Sequence, residues 1–251
     1  MNTSIVSVIA FLCVFGAALL GTWLRRTLPE HHLSSESKDV VRLGTGLVGT
    51  MTALVLGLLV ASAKNSYDTE RSEVISLASK IVYLDRTLAH YGEGAENARE
   101  TLRKVTLIAI ARIWPSEGTD HSQLVPLPSK DESLHAKLHQ LRPKDETQQL
   151  VKAEALHVAA EITQMRWLMY EQSSSAISRP FLIVVVLWLM VMFVSFGMFA
   201  PPNATVLCTL LVCAISVACA IFLILELDHP FDGIIHISKE PMESAVSNLG
   251  L

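Results

Sequence analysis

The sequence predicts an all-α integral membrane protein with four transmembrane helices and a helical soluble domain between the second and third. Three observations carry this. First, 51% of the 251 residues are hydrophobic and the mean hydropathy is +0.41, high for a water-soluble chain. Second, the apolar residues are gathered into four long runs. Third, residues 65–179 are far more polar, show apolar positions at steps of three and four, and nowhere sustain the alternation of a strand.

A helix rises about 1.5 Å per residue, so about 20 apolar residues cross the hydrocarbon core. Four segments meet this: residues 5–24, 43–63, 181–199 and 204–225. The first is preceded by no basic residue and followed by Arg25 and Arg26. This pattern favours a retained span over a cleaved signal peptide. The last two are joined only by Ala200, Pro201, Pro202 and Asn203, a link that enforces an antiparallel hairpin. The expected organisation is therefore a hairpin over residues 1–64, a soluble domain over 65–179, a second hairpin over 180–225 and a short tail over 226–251.

An even number of spans puts both termini and the middle domain on one side. Basic residues set orientation, but here they nearly balance. Arg25, Arg26, Lys38 and Arg42 lie in the first loop, against Lys64, Arg71, Arg166 and Arg179 near the span ends on the domain side.

In the middle domain, Val74, Leu77, Ile81, Leu84, Leu88 and Tyr91 form one helical seam. No Pro or Gly separates this seam from the second span, so one helix is expected to run through both to about His90. Gly92 and Gly94 then break it. A helix over Ala95–Trp114 is stopped by Pro115, and a loop runs from Gly118 to Pro128. A short helix surrounds Leu134, Leu138 and Leu141. A last long helix starts near Asp145, carries Val151, Ala155, Val158, Ile162, Met165 and Met169, and ends near Ser173–Ser175.

Several patterns carry potential chemistry. Gly44-Thr45-Gly46-Leu47-Val48-Gly49 matches a dinucleotide fingerprint literally, but it opens an apolar helix instead of following a strand, so it is rejected. Within the second span, Gly46, Thr50, Ala53, Gly57 and Ala61 form a stripe of small residues that suits close helix packing. Thr45, Gly49, Thr52 and Leu56 are the pore-lining candidates, small and hydroxyl side chains with an apolar constriction, and Lys64 is a candidate basic mouth. Glu226 and Asp228 end the fourth span, where carboxylates are costly unless paired or wet. An ion pair with Lys64, Arg71, Arg86 or Arg179 is expected. Pro230, Phe231 and Gly233 then turn the chain away.

His135 and His139 lack an acidic or thiol companion and read as a solvated helix face. Cys13, Cys208, Cys213 and Cys219 all lie in apolar runs and suggest neither zinc nor disulfides. A net charge of −4 without a basic cluster argues against nucleic acid. No nucleophile elbow or P-loop is present. The sequence implies no enzyme, cofactor or metal.

Five segments together resemble the bestrophin-like family of bacterial membrane proteins: Leu54–Lys64, Leu84–Gly92, Arg166–Leu168, Phe196–Pro201 and Leu225–Gly233. The resemblance spans nearly the whole chain. It implies a relation to bestrophins, which are pentameric ion channels whose second span lines the pore and whose helical domain and termini are cytosolic. It therefore implies a homo-oligomer in the cell inner membrane, with the lipid bilayer, copies of itself and inorganic ions as partners. The second span has no phenylalanine, so an aromatic constriction is not carried over, and no acidic cluster implies calcium gating. The reading is an oligomeric passive ion channel, with a non-conducting scaffold or sensor as its rival.

Overall fold

A computed structural model describes residues 3–29, 35–114, 128–172, 179–201, 203–231 and 233–250. Among them all regular structure is helical. The helices are α1 (Thr3–Thr27), α2 (Ser35–Tyr91), α3 (Glu96–Ile113), α4 (Pro128–Gln140), α5 (Glu146–Gln172), α6 (Arg179–Phe199), α7 (Ala204–Leu227) and α8 (Glu240–Asn248). Of these, α1, α2, α6 and α7 are long and apolar enough to cross a membrane. The chain forms two compact units, one of residues 1–66 and 175–235, the other of 67–174 and 236–251.

The 57-residue α2 runs without interruption through the second span and the first seam. It starts at Ser35, shortening the first loop, and stops where expected. Gly92 and Gly94 take φ of 81° and 102°, left-handed values that suit glycine and end the helix. Pro128, expected to close a loop, instead opens α4, where its missing N–H costs nothing. The remainder of that loop, Pro115, Ser173–Ser175 and Pro202 lie outside the described residues.

The membrane unit is held by an unusually close pair. On α1, Ser7, Ala10, Val14, Ala17, Ala18 and Gly21 are buried, nearly all of them small. A Cβ placed on Gly21 would run into the backbone of Val194, and one on Gly197 into that of Ala18. The two glycines thus let α1 and α6 touch backbone to backbone, the contact that small residues make possible in lipid. In the last turn of α1, the Arg25 guanidinium donates to the Ala200 carbonyl. Asn203 caps α7 by accepting from the Val206 amide at 2.9 Å.

In the soluble unit the seam residues Val74, Leu77, Ile81, Leu84, Leu88 and Tyr91 are all buried. Facing them are Ala98 and Leu102 of α3, Leu134 and Leu138 of α4, and Ala155, Val158 and Ile162 of α5. Each buried leucine or isoleucine contributes about 1.5–3 kcal/mol. Lys80 reaches Glu161 at 2.6 Å, joining α2 to α5. The tail is part of this core: Met242 of α8 is wholly buried, Ala245 and Leu249 are buried beside it, and Trp114 Nε1 donates to the Ile237 carbonyl at 2.8 Å. What reads as a short tail from residue 226 onward thus divides, its first part remaining with the membrane helices and its second completing the soluble unit.

At the end of the seam, the Tyr91 hydroxyl is buried without a hydrogen-bond partner among the described residues. Tyr91→Phe is therefore expected to leave stability unchanged or raise it by up to about 1 kcal/mol, because only the desolvation of the hydroxyl is removed. Thermal unfolding of both proteins would check this, and a clear loss would reveal a bond to that oxygen.

Candidate functional site

The membrane part of α2 has three faces, because successive residues turn by about 100°. Thr45, Gly49, Thr52, Leu56, Leu59 and Ala63 follow each other at steps of four and three. Along this line burial is greatest: Thr52 is 3% exposed, Leu59 and Ala63 are buried, and Thr45, Gly49 and Leu56 are half-buried. A Cβ on Gly49 would meet Met192 Cε of α6 at 3.1 Å. This line is the seam by which α2 joins its own membrane unit.

The hydroxyls on that seam are already used. Thr52 Oγ1 donates to the Val48 carbonyl at 2.7 Å and Thr45 Oγ1 to the Val41 carbonyl at 2.8 Å. Such back-bonding satisfies a hydroxyl inside an apolar segment.

Roughly 100° away lies the stripe of Gly46, Thr50, Ala53, Gly57 and Ala61, all exposed on the single chain. Nothing lies within 4 Å of a Cβ placed on Gly46 or Gly57. Lys64 continues the same line, 18 positions or five full turns after Gly46. A further 100° or so on, Val40, Leu43, Leu47, Met51, Leu54 and Leu58 form a broad exposed apolar face. The sequence-derived pore candidates therefore divide. Lys64 stands on the open stripe, whereas Thr45, Gly49, Thr52 and Leu56 lie on the inward seam, with Thr52 covered by its own chain.

The turn after α7 is built around Glu226. Its side chain is 3% exposed and accepts from the Ile234 amide. Gly233 has φ of 95°, a left-handed value that favours glycine, and a side chain there would have to displace the Glu226 carboxylate. Among the described residues Glu226 takes the Ile234 amide as its partner; the ion pair expected of the acidic turn concerns Asp228 as well. Asp228 lies 4.0 Å from His229 Nδ1, Pro230 is buried and Phe231 half-buried. The side chain of Arg179 and all of Asp232 lie outside the described residues.

Arg86 is exposed on α2 within the soluble unit, beside the residue that anchors that unit. Asp85 is 1% exposed and receives a fork from Arg99, with Nε to Oδ1 and Nη2 to Oδ2 both at 2.8 Å. The Gly250 amide adds a third contact at 3.3 Å. Burial pushes the Asp85 carboxyl upward, but the bonds from Arg99 and Gly250, with the charges of Arg99 and Arg86, outweigh it. The carboxyl is held below the usual range. Sequence reasoning passed over this node. A lone acidic residue at a seam position, directly after Leu84, was its only signal. Among the described residues no group of three or more His, Cys, Asp or Glu side chains is placed to hold a metal.

Comparison with known proteins agrees with this architecture. A bestrophin-like domain profile matches residues 12–242. No curated protein matches the chain. Among solved structures, a bacterial bestrophin homologue from Klebsiella pneumoniae, crystallised as single-substitution variants, superposes closely. One variant gives a TM-score of 0.69 at 12% identity, covering 96% of this chain and 97% of the homologue. A second gives 0.69 at 13% identity, covering 99% and 97%. A structure described only as a membrane protein gives 0.62 at 15% identity, covering 96% of both chains. At these identities the likeness establishes the shared fold.

Proposed function

The chain belongs to the bestrophin-like family, and from that premise we propose that it is the subunit of an oligomeric, passive ion channel with α2 along the conduction path. Bestrophins are ion channels, and the family fold is present here in full. The observation that carries the reading to this chain is the three-faced α2. One face is consumed by the chain's own packing, the leucine face offers apolar surface to a neighbouring copy or to lipid, and the face between them is narrow, small and open. Copies arranged about an axis would present Gly46, Thr50, Ala53 and Gly57 to a shared lumen, with Lys64 as a ring of positive charge at one mouth. Small side chains leave room for ions and water, and the basic ring favours anions. Thr52 and the rest of the inward seam then position α2 without lining the path. By analogy with bestrophins, the proposed channel has five subunits, with the soluble unit and both termini in the cytoplasm and the spans in the inner membrane.

Ion flux from liposomes containing the purified protein tests this. Wild-type protein is expected to conduct, and Gly57→Trp is expected to reduce flux at least ten-fold with oligomer size unchanged, because an indole would fill a lumen lined by small groups. Lys64→Glu should shift preference from anions toward cations. Well-folded oligomers that stay inert in several salts would favour the rival scaffold, in which the open stripe serves close helix packing alone. Flux untouched by Gly57→Trp would move the pore off this face.

A further inference from the structure

We propose that the α6–α7 end of the membrane unit carries a site for an anionic phospholipid, with one acyl chain in a groove between α1 and α7 and the headgroup phosphate at Arg26. The groove encloses about 360 Å³ and is lined by Leu19, Thr22 and Arg26 of α1 and by Val206, Leu207 and Leu210 of α7, among others. It exists because Gly197, Ala200 and Ala204, which border it, carry little or no side chain. Its wall is mostly apolar, with Arg26 and Asn203 at the rim. The Thr22 hydroxyl is turned back onto the Ala18 carbonyl at 3.0 Å and offers the groove little polarity. A depression of this volume within a hydrocarbon layer is filled by hydrocarbon, since leaving it empty forfeits the contacts of its lining.

Charge selects the kind of lipid. Arg26 stands at the groove's edge, just beyond the apolar run of α1, at headgroup depth. Its neighbour Arg25 is committed to the Ala200 carbonyl and holds α1 against the end of α6. No Asp or Glu occurs anywhere in α1 or α6, and α7 carries none before Glu226 at its far end. Among the described residues the helices that form the groove thus bring Arg26 and no acidic side chain to its mouth, and α7 starts there with the positive end of its dipole. A phosphate diester with a net negative headgroup complements all three features, whereas a zwitterionic headgroup brings its own cation against Arg26.

The test is lipid retention by the purified full-length protein, measured by native mass spectrometry after titration with phosphatidylglycerol or phosphatidylcholine. One basic contact at a membrane surface corresponds to roughly a five-fold preference for the anionic lipid. That preference is expected in the wild type, is expected to vanish in Arg26→Gln and to persist in Arg26→Lys and in Arg42→Gln. Leu207→Trp, which fills the groove, should weaken both lipids. Equal retention of the two lipids by wild type, or an undiminished preference in Arg26→Gln, would overturn the site. So would full displacement by inorganic phosphate, which would reduce it to an anion contact. A Leu207→Trp variant with altered oligomer size and unaltered lipid binding would overturn it too, assigning the groove to a second copy of the chain.

Discussion

Gly197→Ala is expected to prevent the membrane unit from folding, although it adds only a single methyl group to an apolar span. That methyl has no side chain to displace. It points at the Ala18 carbonyl and stands 3.0 Å from the Thr22 amide nitrogen, so α1 and α6 must move apart along their length. Overpacking a core costs about 1–3 kcal/mol when side chains can adjust, and more when they cannot. Here the obstruction is backbone, so the loss should exceed about 3 kcal/mol, a large fraction of the 5–15 kcal/mol that holds a typical domain together. Gly21→Ala meets the Val194 carbonyl in the same way and should match it. Gly16→Ala, on the same helix with open space around it, should be tolerated. Yield of monodisperse protein and its thermal unfolding in detergent would compare the three. Wild-type behaviour of Gly197→Ala would show that the two helices do not meet as described.

The second large effect is expected at Arg99. Arg99→Ala leaves the Asp85 carboxylate buried with the Gly250 amide and the more distant charge of exposed Arg86 as its remaining support, and should cost the soluble unit about 3 kcal/mol or more at neutral pH. Asp85→Ala should cost less, because Arg99 is partly exposed, its side chain at 24%, and can turn to water. The pH dependence separates a charge effect from simple loss of packing. In the wild type the Asp85 carboxyl is held below its ordinary value, so the unfolded chain takes up the proton more readily. The stabilisation is therefore fully present above about pH 4 and is lost as pH falls through the lower, folded value. In Arg99→Ala the sign reverses. Burial now dominates and raises the carboxyl, so acidification toward about pH 5 should recover part of the lost stability. Denaturation followed by circular dichroism and intrinsic tryptophan fluorescence at pH 7 and pH 5 would show the crossover. Parallel curves for the two proteins would mean that Asp85 is not buried as a charged group.

Both effects rest on contacts between residues far apart in the chain, and this marks the division between what is legible in the sequence and what is not. Apolar run length picked out the four helices that are long and apolar enough to cross a membrane, and gave the ends of α1, α6 and α7 to within a few residues, because the thickness of the hydrocarbon layer dictates such runs. The same local logic gave the continuity of α2 from the second span to its end, since no Pro or Gly lies between Gly57 and Gly92, and the buried face of the seam from Val74 to Tyr91. It also carried enough information for α8. Glu240 and Glu243 sit in the first turn and Met242, Ala245 and Leu249 recur at helical spacing, but nine residues are too few to stand out against a polar tail.

Choosing among the faces of α2 was beyond the sequence. A stripe of small residues and a line of threonines are equally good candidates for a packed seam or an open wall. Only the position of Met192 against Gly49, and the emptiness around Gly46 and Gly57, assigned the first to the outside and the second to the protein's own core. The carboxylates were undetermined for the same reason. Sequence says that Glu226 and Asp85 must be satisfied if buried, because an unpaired charge there is prohibitive. Which group satisfies them depends on how the chain returns: a backbone amide eight residues on for Glu226, an arginine on the next helix and the end of the chain for Asp85. Periodicity and run length are properties of neighbours along the chain and could be read directly, whereas the partner of each face and each charge is set by packing across it.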